Sequence, residues 1–170
     1  MSKLVFISDF FVDEVSGGAE IYDNILINEL RNLGVKVCKF KTQEFSKKHF
    51  HLYEKMGFTF LISNFVGLRH DVMKLFQVYS DRYCILEHDH KYLTTRNPSV
   101  FNGFRAPPQA IINRQFYKSA KQVFCQSIKH AEVLSSNLNI DNVTNLGCSL
   151  WSKDQLNLIK SKMCKKNDKA

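Results

Sequence analysis

The chain opens on a continuous apolar run, Leu4-Val5-Phe6-Ile7 within Lys3–Ser8, which predicts a strand covered on both faces. A polar turn and two glycines follow. From Ala19 to Leu33 the apolar positions Ile21, Tyr22, Ile25, Leu26, Leu30 and Leu33 recur at helical spacing, with Gly34 as the stop. Val35–Phe40 alternates apolar residues with lysine as a second strand would, and Thr42 is placed to cap a weaker helix through Met56. Phe58–Ile62 predicts a third strand, Asn64–Gly67 a turn, and His70–Tyr79 a short helix carrying Val72, Met73, Phe76 and Tyr79. Arg82–Glu87 is the fourth strand and runs into Glu87-His88-Asp89-His90. Lys91–Pro108 has no period and contains Asn97-Pro98, Gly103 and Pro107-Pro108, so it predicts a long loop. Gln109–Ser119 predicts a helix presenting Ile111, Ile112, Phe116 and Tyr117, and Gln122–Cys125 predicts a strand. Ser127 is placed to cap a helix through Leu138, and Asn142–Leu146 predicts a last strand ending at Gly147. Trp151–Met163 is amphipathic through Trp151, Leu156, Ile159 and Met163, ahead of a lysine-rich end.

Strands alternating with helices predict an α/β fold: a single Rossmann-like domain, a parallel sheet flanked by helices, over residues 1–150. An amphipathic helix and lysine-rich tail are expected over residues 151–170. Composition leaves this picture intact, since 44% apolar and 24% charged residues are ordinary for a globular chain. No stretch reaches the roughly 18 apolar residues needed to cross a bilayer. Met1–Phe11 has one early lysine and then Asp9, which does not read as a secretory signal. The five cysteines are odd in number and lack Cys-x-x-Cys spacing, so neither a disulfide framework nor a zinc site is suggested. A reducing cytoplasm is the expected compartment.

Charge changes the picture little. Lys153 to Ala170 carries six lysines against Asp154 and Asp168, so half of the net +8 belongs to the tail. Aromatic and basic residues are not interleaved as on a nucleic-acid-binding face, so no nucleic acid is expected. A lysine cluster without a second anchoring signal supports at most weak contact with a membrane surface.

The candidate chemistry gathers at predicted strand ends. Gly17-Gly18 is either a helix-entry turn or a backbone-amide cradle for a diphosphate or sugar. The pattern is not Gly-x-Gly-x-x-Gly, and Lys39, Phe40 and Lys41 stand where a dinucleotide site would place an acid. Glu87-His88-Asp89-His90 offers metal, acid–base or hydroxyl-orienting groups, with a polar strand terminus as the plain alternative. Successive strand residues alternate sides, so one histidine is expected to face a cleft. Arg96, Arg105 and Arg114 around the long loop suit phosphate or carboxylate, or are ordinary surface arginines. Tyr92, Phe101 and Phe104 either close over a ligand or seat the loop. At Gln126-Ser127, helix capping accounts for the serine, and no Gly-x-Ser-x-Gly elbow exists.

Taken in order, these features resemble the N-terminal, acceptor-side domain of a GT-B fold glycosyltransferase, nearest to the retaining family 4 enzymes. The matching pieces span about residues 3 to 150: the opening strand, Ser16-Gly17-Gly18-Ala19-Glu20, the strand ending in His88-Asp89, Val123-Phe124-Cys125-Gln126-Ser127, and the Val143–Ser149 stretch. The resemblance implies one half of a GT-B fold. Gly17 and Gly18 would supply amides to a donor diphosphate, and His88 would be the catalytic residue beside the reacting sugar. Asp89, His90, Arg96, Arg105 and Ser127 would be acceptor or cleft residues. The implied reaction moves a sugar from a nucleotide-sugar to a hydroxyl acceptor with retained configuration, using no cofactor and no essential metal. Such enzymes also carry a second domain whose basic residue and Glu-x7-Glu motif grip the donor, and this sequence has no counterpart to it. The expectation is therefore a glycosyltransferase half that works with a separate donor-domain chain or as a homo-oligomer. The other reading left open is a non-catalytic carbohydrate- or nucleotide-binding module.

Overall fold

The structure, a computed structural model, describes residues 2–164. Its elements run β1 (Lys3–Ser8), α1 (Gly18–Asn32), β2 (Lys36–Lys41), α2 (Lys47–Lys55), β3 (Thr59–Ile62) and α3 (His70–Val78), then β4 (Tyr83–Glu87), α4 (Arg114–Ser119), β5 (Gln122–Cys125), α5 (Ile128–Leu138), β6 (Val143–Asn145) and α6 (Lys153–Cys164). All pairings between strands are parallel, in the order β2-β1-β3-β4-β5-β6. The expected Rossmann-like α/β sheet is therefore present. No helix among the described residues is long and apolar enough to cross a membrane.

The β1 run is apolar on both sides because both sides are covered. Val5 and Ile7 face the larger core, which α2, α3, α4 and α5 fill, while Phe6 faces a smaller core built on α1. The larger core is aromatic: Phe50 stacks on Phe60 with ring centroids 4.9 Å apart, and Tyr83 stacks on Phe116 at 5.2 Å. On the opposite face α1 is the one helix among the described residues that contributes, through buried Tyr22 and Ile27 and half-buried Leu26 and Leu30. Gly34, at φ +81, turns the chain out of α1.

Two expected helices are shorter than their patterns. Thr42 does not cap α2; its hydroxyl donates to Asp9 at 2.6 Å, and the cap is Ser46, which accepts from the His49 amide. The stretch expected as a helix over Gln109–Ser119 is helical only from Arg114. Asn113 sits in the left-handed region (φ 56), and Ile111 pairs with Leu93 in an antiparallel bridge. The Ile112 amide donates to the Tyr92 carbonyl at 2.8 Å, so the long loop is pinned back on itself and takes this segment out of the helix. Lys165, Lys166 and Lys169 of the expected tail lie outside the described residues.

The strand order reverses beside β1, with β2 on one side and β3 on the other. Helix α1 follows β1 onto one face while α3 follows β3 onto the other, which opens a crevice at the carboxyl ends of these strands.

Candidate functional site

The floor of the crevice is tied by Asp9, just past β1. Its carboxylate accepts the Thr42 hydroxyl at 2.6 Å and the Val66 and Gly67 amides at 2.8 Å each. One buried acid thus joins the ends of β1, β2 and β3. Gly67 is required for closeness: a Cβ there would stand 2.8 Å from the Thr42 hydroxyl and 3.1 Å from Asp9. Asp9 is used up in this tie.

The start of α1 forms the next wall. Gly17 is its N-cap, with an ordinary extended backbone, so conformation alone does not demand glycine there. The Glu20 carboxylate folds back until an oxygen lies 2.3 Å from where a Gly17 Cβ would be, so a side chain there would have to turn the end of Glu20 aside. The other Glu20 oxygen accepts from the Asn64 amide at 3.4 Å. A carboxylate of the chain itself therefore lies over the positive end of α1 at Gly17. Gly18 differs, since nothing lies within 4 Å of its would-be Cβ.

The end of β4 supplies the centre, and the strand's alternation sends its side chains to opposite faces. Glu87 points into the larger core, fully buried, where it accepts from the Lys91 ammonium at 3.1 Å, the Asp89 amide at 3.0 Å and the Tyr117 hydroxyl. Burial alone would raise its pKa, but Lys91, Tyr117 and the Asp89 amide hold it well below the usual carboxylate range. Burial would likewise discharge Lys91, and the Glu87 and Asp89 carboxylates raise it instead. The result is a charged pair locked beneath the loop.

His88 points the other way, towards α1. Its Nε2 lies 3.0 Å from Asp23 Oδ1 and its Nδ1 lies 3.0 Å from Gln126 Nε2. With the Gln126 amide donating, Nδ1 accepts and Nε2–H donates to Asp23, an assignment made from the network. Tyr22 packs edge-on against the ring at 5.3 Å. The His88 side chain is only 6% exposed and Asp23 is fully buried, with the second Asp23 oxygen lacking any partner. A buried carboxylate with one orphan oxygen is costly, and its single bond goes to His88.

Two clefts meet at this histidine. One, about 350 Å³, lies at the crevice and is lined by Asp9, Phe10, Glu20, Asn64, Asp89 and Arg96. The other, about 370 Å³, lies over Gly18 between Gln126 and the Ser149–Trp151 stretch. His88 and Ala19 line both. Arg96 pairs with Asp89 at 2.9 Å across the mouth of the first. The structure thus brings Gly18, His88, Asp89 and Arg96 together, with Gly17 beneath Glu20.

The remaining candidates lie elsewhere. His90 turns to the opposite side, where its ring is 4.1 Å from that of His130 and its Nδ1 is 3.0 Å from the Tyr92 hydroxyl. Burial lowers the pKa of both rings, that of His130 to about 4, with His90 adding to the effect at His130. Arg105 donates to the Ser136 carbonyl at 3.2 Å and Arg114 to the Leu138 carbonyl at 2.7 Å, so both serve the carboxyl end of α5. Ser127 caps α5 by accepting from the His130 amide at 3.2 Å. Tyr92 is buried, Phe101 packs against the larger core, and Phe104 is 40% exposed.

Sequence reasoning passed over Glu20, Asp23 and Asn64. A signal for two of them existed: Glu20, Asp23 and Ile27 fall at i, i+3 and i+7, so two acids occupy the inward stripe of α1. Among the described residues no group of three or more His, Cys, Asp or Glu side chains gathers as a metal cage. No protein-family model matches the sequence. No curated protein matches it either, and the Rossmann-like sheet with the two clefts at its carboxyl edge is what the functional reading rests on.

Proposed function

We propose that this domain is the acceptor-side half of a glycosyltransferase-type enzyme that moves a sugar from a nucleotide-sugar to a hydroxyl. The observation that carries the reading is the position of His88 on the wall shared by two clefts, fixed by Asp23 and Gln126. A group in that position can touch both reactants. The crevice cleft suits a polyol: Glu20, Asn64, Asp89 and Arg96 present planar groups able to exchange hydrogen bonds with adjacent hydroxyls, and Phe10 offers an apolar face at the rim. The donor diphosphate belongs on the Gly18 side, where the backbone is open, rather than at Gly17, where Glu20 opposes an anion.

A second reading, a carbohydrate-binding module without turnover, is favoured by one observation. Both ring nitrogens of His88 are already engaged, so acid–base work would require Gln126 or Asp23 to release it.

The test is titration of the protein with a panel of saccharides and nucleotide-sugars, followed by NMR, together with sugar-transfer assays alone and with a donor-domain partner. Glycosyl transfer that is lost in His88→Gln, which keeps an amide donor for the buried Asp23, supports the enzyme. Saccharide shifts at Asn64 and Asp89 without turnover support the module. Gly18→Ala is expected to weaken nucleotide-sugar binding while leaving saccharide binding at the crevice intact. Absence of both ligands' shifts from the residues around His88 overturns the assignment of this site.

A further inference from the structure

Parallel sheets are stable when helices cover both faces, and here one face is only half covered. Helix α1 lies over β1 and its neighbours, but among the described residues no helix lies on the same face of β4, β5 and β6. The result is an apolar groove of about 680 Å³ beside α1, walled by Leu26, Leu30, Leu61, Cys84, Leu86 and Phe124. It is much the largest of the clefts described and stands apart from the polar crevice.

The same chain carries an apolar stripe that is exposed among the described residues. In α6, Leu156, Ile159 and Met163 fall at i, i+3 and i+7 and are 44%, 41% and 65% exposed, and Trp151 ahead of the helix is 54% exposed. A helix of twelve residues is about 18 Å long, and strands of four to five residues are about 15 Å long, so the helix matches the groove's length. Groove and helix are complementary in length and in chemistry.

The helix does not lie in its own groove. The stretch leading to it is anchored at the sheet's carboxyl edge: the Leu146 amide donates to the Cys125 carbonyl at 2.8 Å, and Leu150 packs into the smaller core. Ser152 and Gln155 then fix the helix start by reciprocal bonds at 2.8 and 3.2 Å. Only Trp151 lies between the anchored Leu150 and the Ser152 cap, which leaves α6 little chain with which to turn back on its own groove, whereas a second molecule's helix can enter without any such turn.

We propose that two copies of this chain associate by exchanging α6, each helix seating its Leu156–Ile159–Met163 stripe in the partner's groove over Cys84 and Phe124. One helix in one groove is small beside the roughly 1,600 Å² of a standard stable interface. Reciprocal exchange about a twofold axis doubles the buried area and closes the assembly as a dimer. The exchange leaves the crevice cleft free, so the proposal stands or falls separately from the glycosyltransferase reading.

Sedimentation equilibrium of the full chain is expected to give twice the 19.8 kDa monomer mass at micromolar concentration. Ile159→Glu, on the exposed helix, is expected to shift the population to monomer with an unchanged far-ultraviolet circular dichroism spectrum, and Phe124→Glu is expected to do the same from the groove side at some cost in folding stability, since Phe124 packs on the smaller core. In an Ile159→Cys variant, a bismaleimide is expected to join that residue to the native Cys84 between chains. A wild-type protein that stays monomeric overturns the proposal, as does a dimer indifferent to Ile159→Glu. Cross-linking confined within one chain also overturns it, by showing that α6 closes its own groove.

Discussion

Acidifying the protein should destabilise it before most of its carboxylates are titrated, because of two partly buried histidines on the side of β4 opposite His88. His130 has its pKa lowered from 6.5 to about 4, first by burial and then by the His90 ring 4.1 Å away. The His90 pKa is lowered too, again first by burial. The groups facing this pair are Glu87 at the end of β4, Asp89, Lys91 and Tyr92 from the loop after it, and His88 more distantly. In the unfolded chain His130 takes up a proton near pH 6.5, while in the folded chain it does so near 4. Between these values the unfolded state binds more protons, so stability is fully present above pH 6.5 and falls as the pH drops towards 4. That displacement corresponds to a contribution on the order of 2–3 kcal/mol, once water contact at the partly exposed ring is allowed for. That is a large share of a typical domain stability of about 5–15 kcal/mol. Urea unfolding at half-unit steps from pH 7.5 to 4.5 reads the slope directly. His130→Gln removes the titration and should flatten the curve by up to one proton. A His130→Gln protein with the wild-type slope would refute the assignment and move the acid sensitivity to other groups.

Two substitutions test the supports beneath the crevice. Gly67→Ala pushes a methyl to within 3.1 Å of Thr42, Gln43 and Asp9, and should cost about 1–3 kcal/mol in urea unfolding; a neutral result would mean the Asp9 tie relaxes freely. Lys91→Met strands the fully buried Glu87 carboxylate and should cost about 3–5 kcal/mol near neutral pH, with much of the loss recovered by Lys91→Met combined with Glu87→Gln. Failure of the second change to rescue would show that the pair does not act as a unit.

Patterns set by neighbours in sequence were legible, and patterns set by distant partners were not. The β1 run, the α1 stripe and the Ser127 cap depend on residues within a turn or two of one another, and each is where the sequence places it. The entry to α2 was misplaced because Thr42 and Ser46 are both competent caps, and the choice is made by Asp9, thirty-three residues before Thr42. The first turns predicted for α4 are lost to the Leu93–Ile111 bridge, a contact no periodicity announces. At the site, the glycine pair and His88 stood out by type, but Asp23 lies sixty-five residues from His88 and is visible only as an acid on an apolar stripe. Arg105 and Arg114 illustrate the converse, since guanidinium groups read as anion-binding instead satisfy helix-end carbonyls.

The Asp9 tie has a mechanical consequence. A clamp with two movable jaws can accept many shapes, but here one jaw is bolted down: β1, β2 and the turn after β3 share a single buried carboxylate. The facing jaw, by contrast, is held at its mouth by the half-exposed Asp89–Arg96 pair, and His90 and Arg96 on that side both sit in the left-handed backbone region, at φ 57 and 54. Such conformations hold about 1 kcal/mol or more of strain each. Any molecule entering the crevice therefore meets a buried tie on the β1 side and a half-exposed ion pair on the other. Variation in the Asp89–Arg96 lip would change which molecules fit, while the Asp9 side would keep the entrance in place.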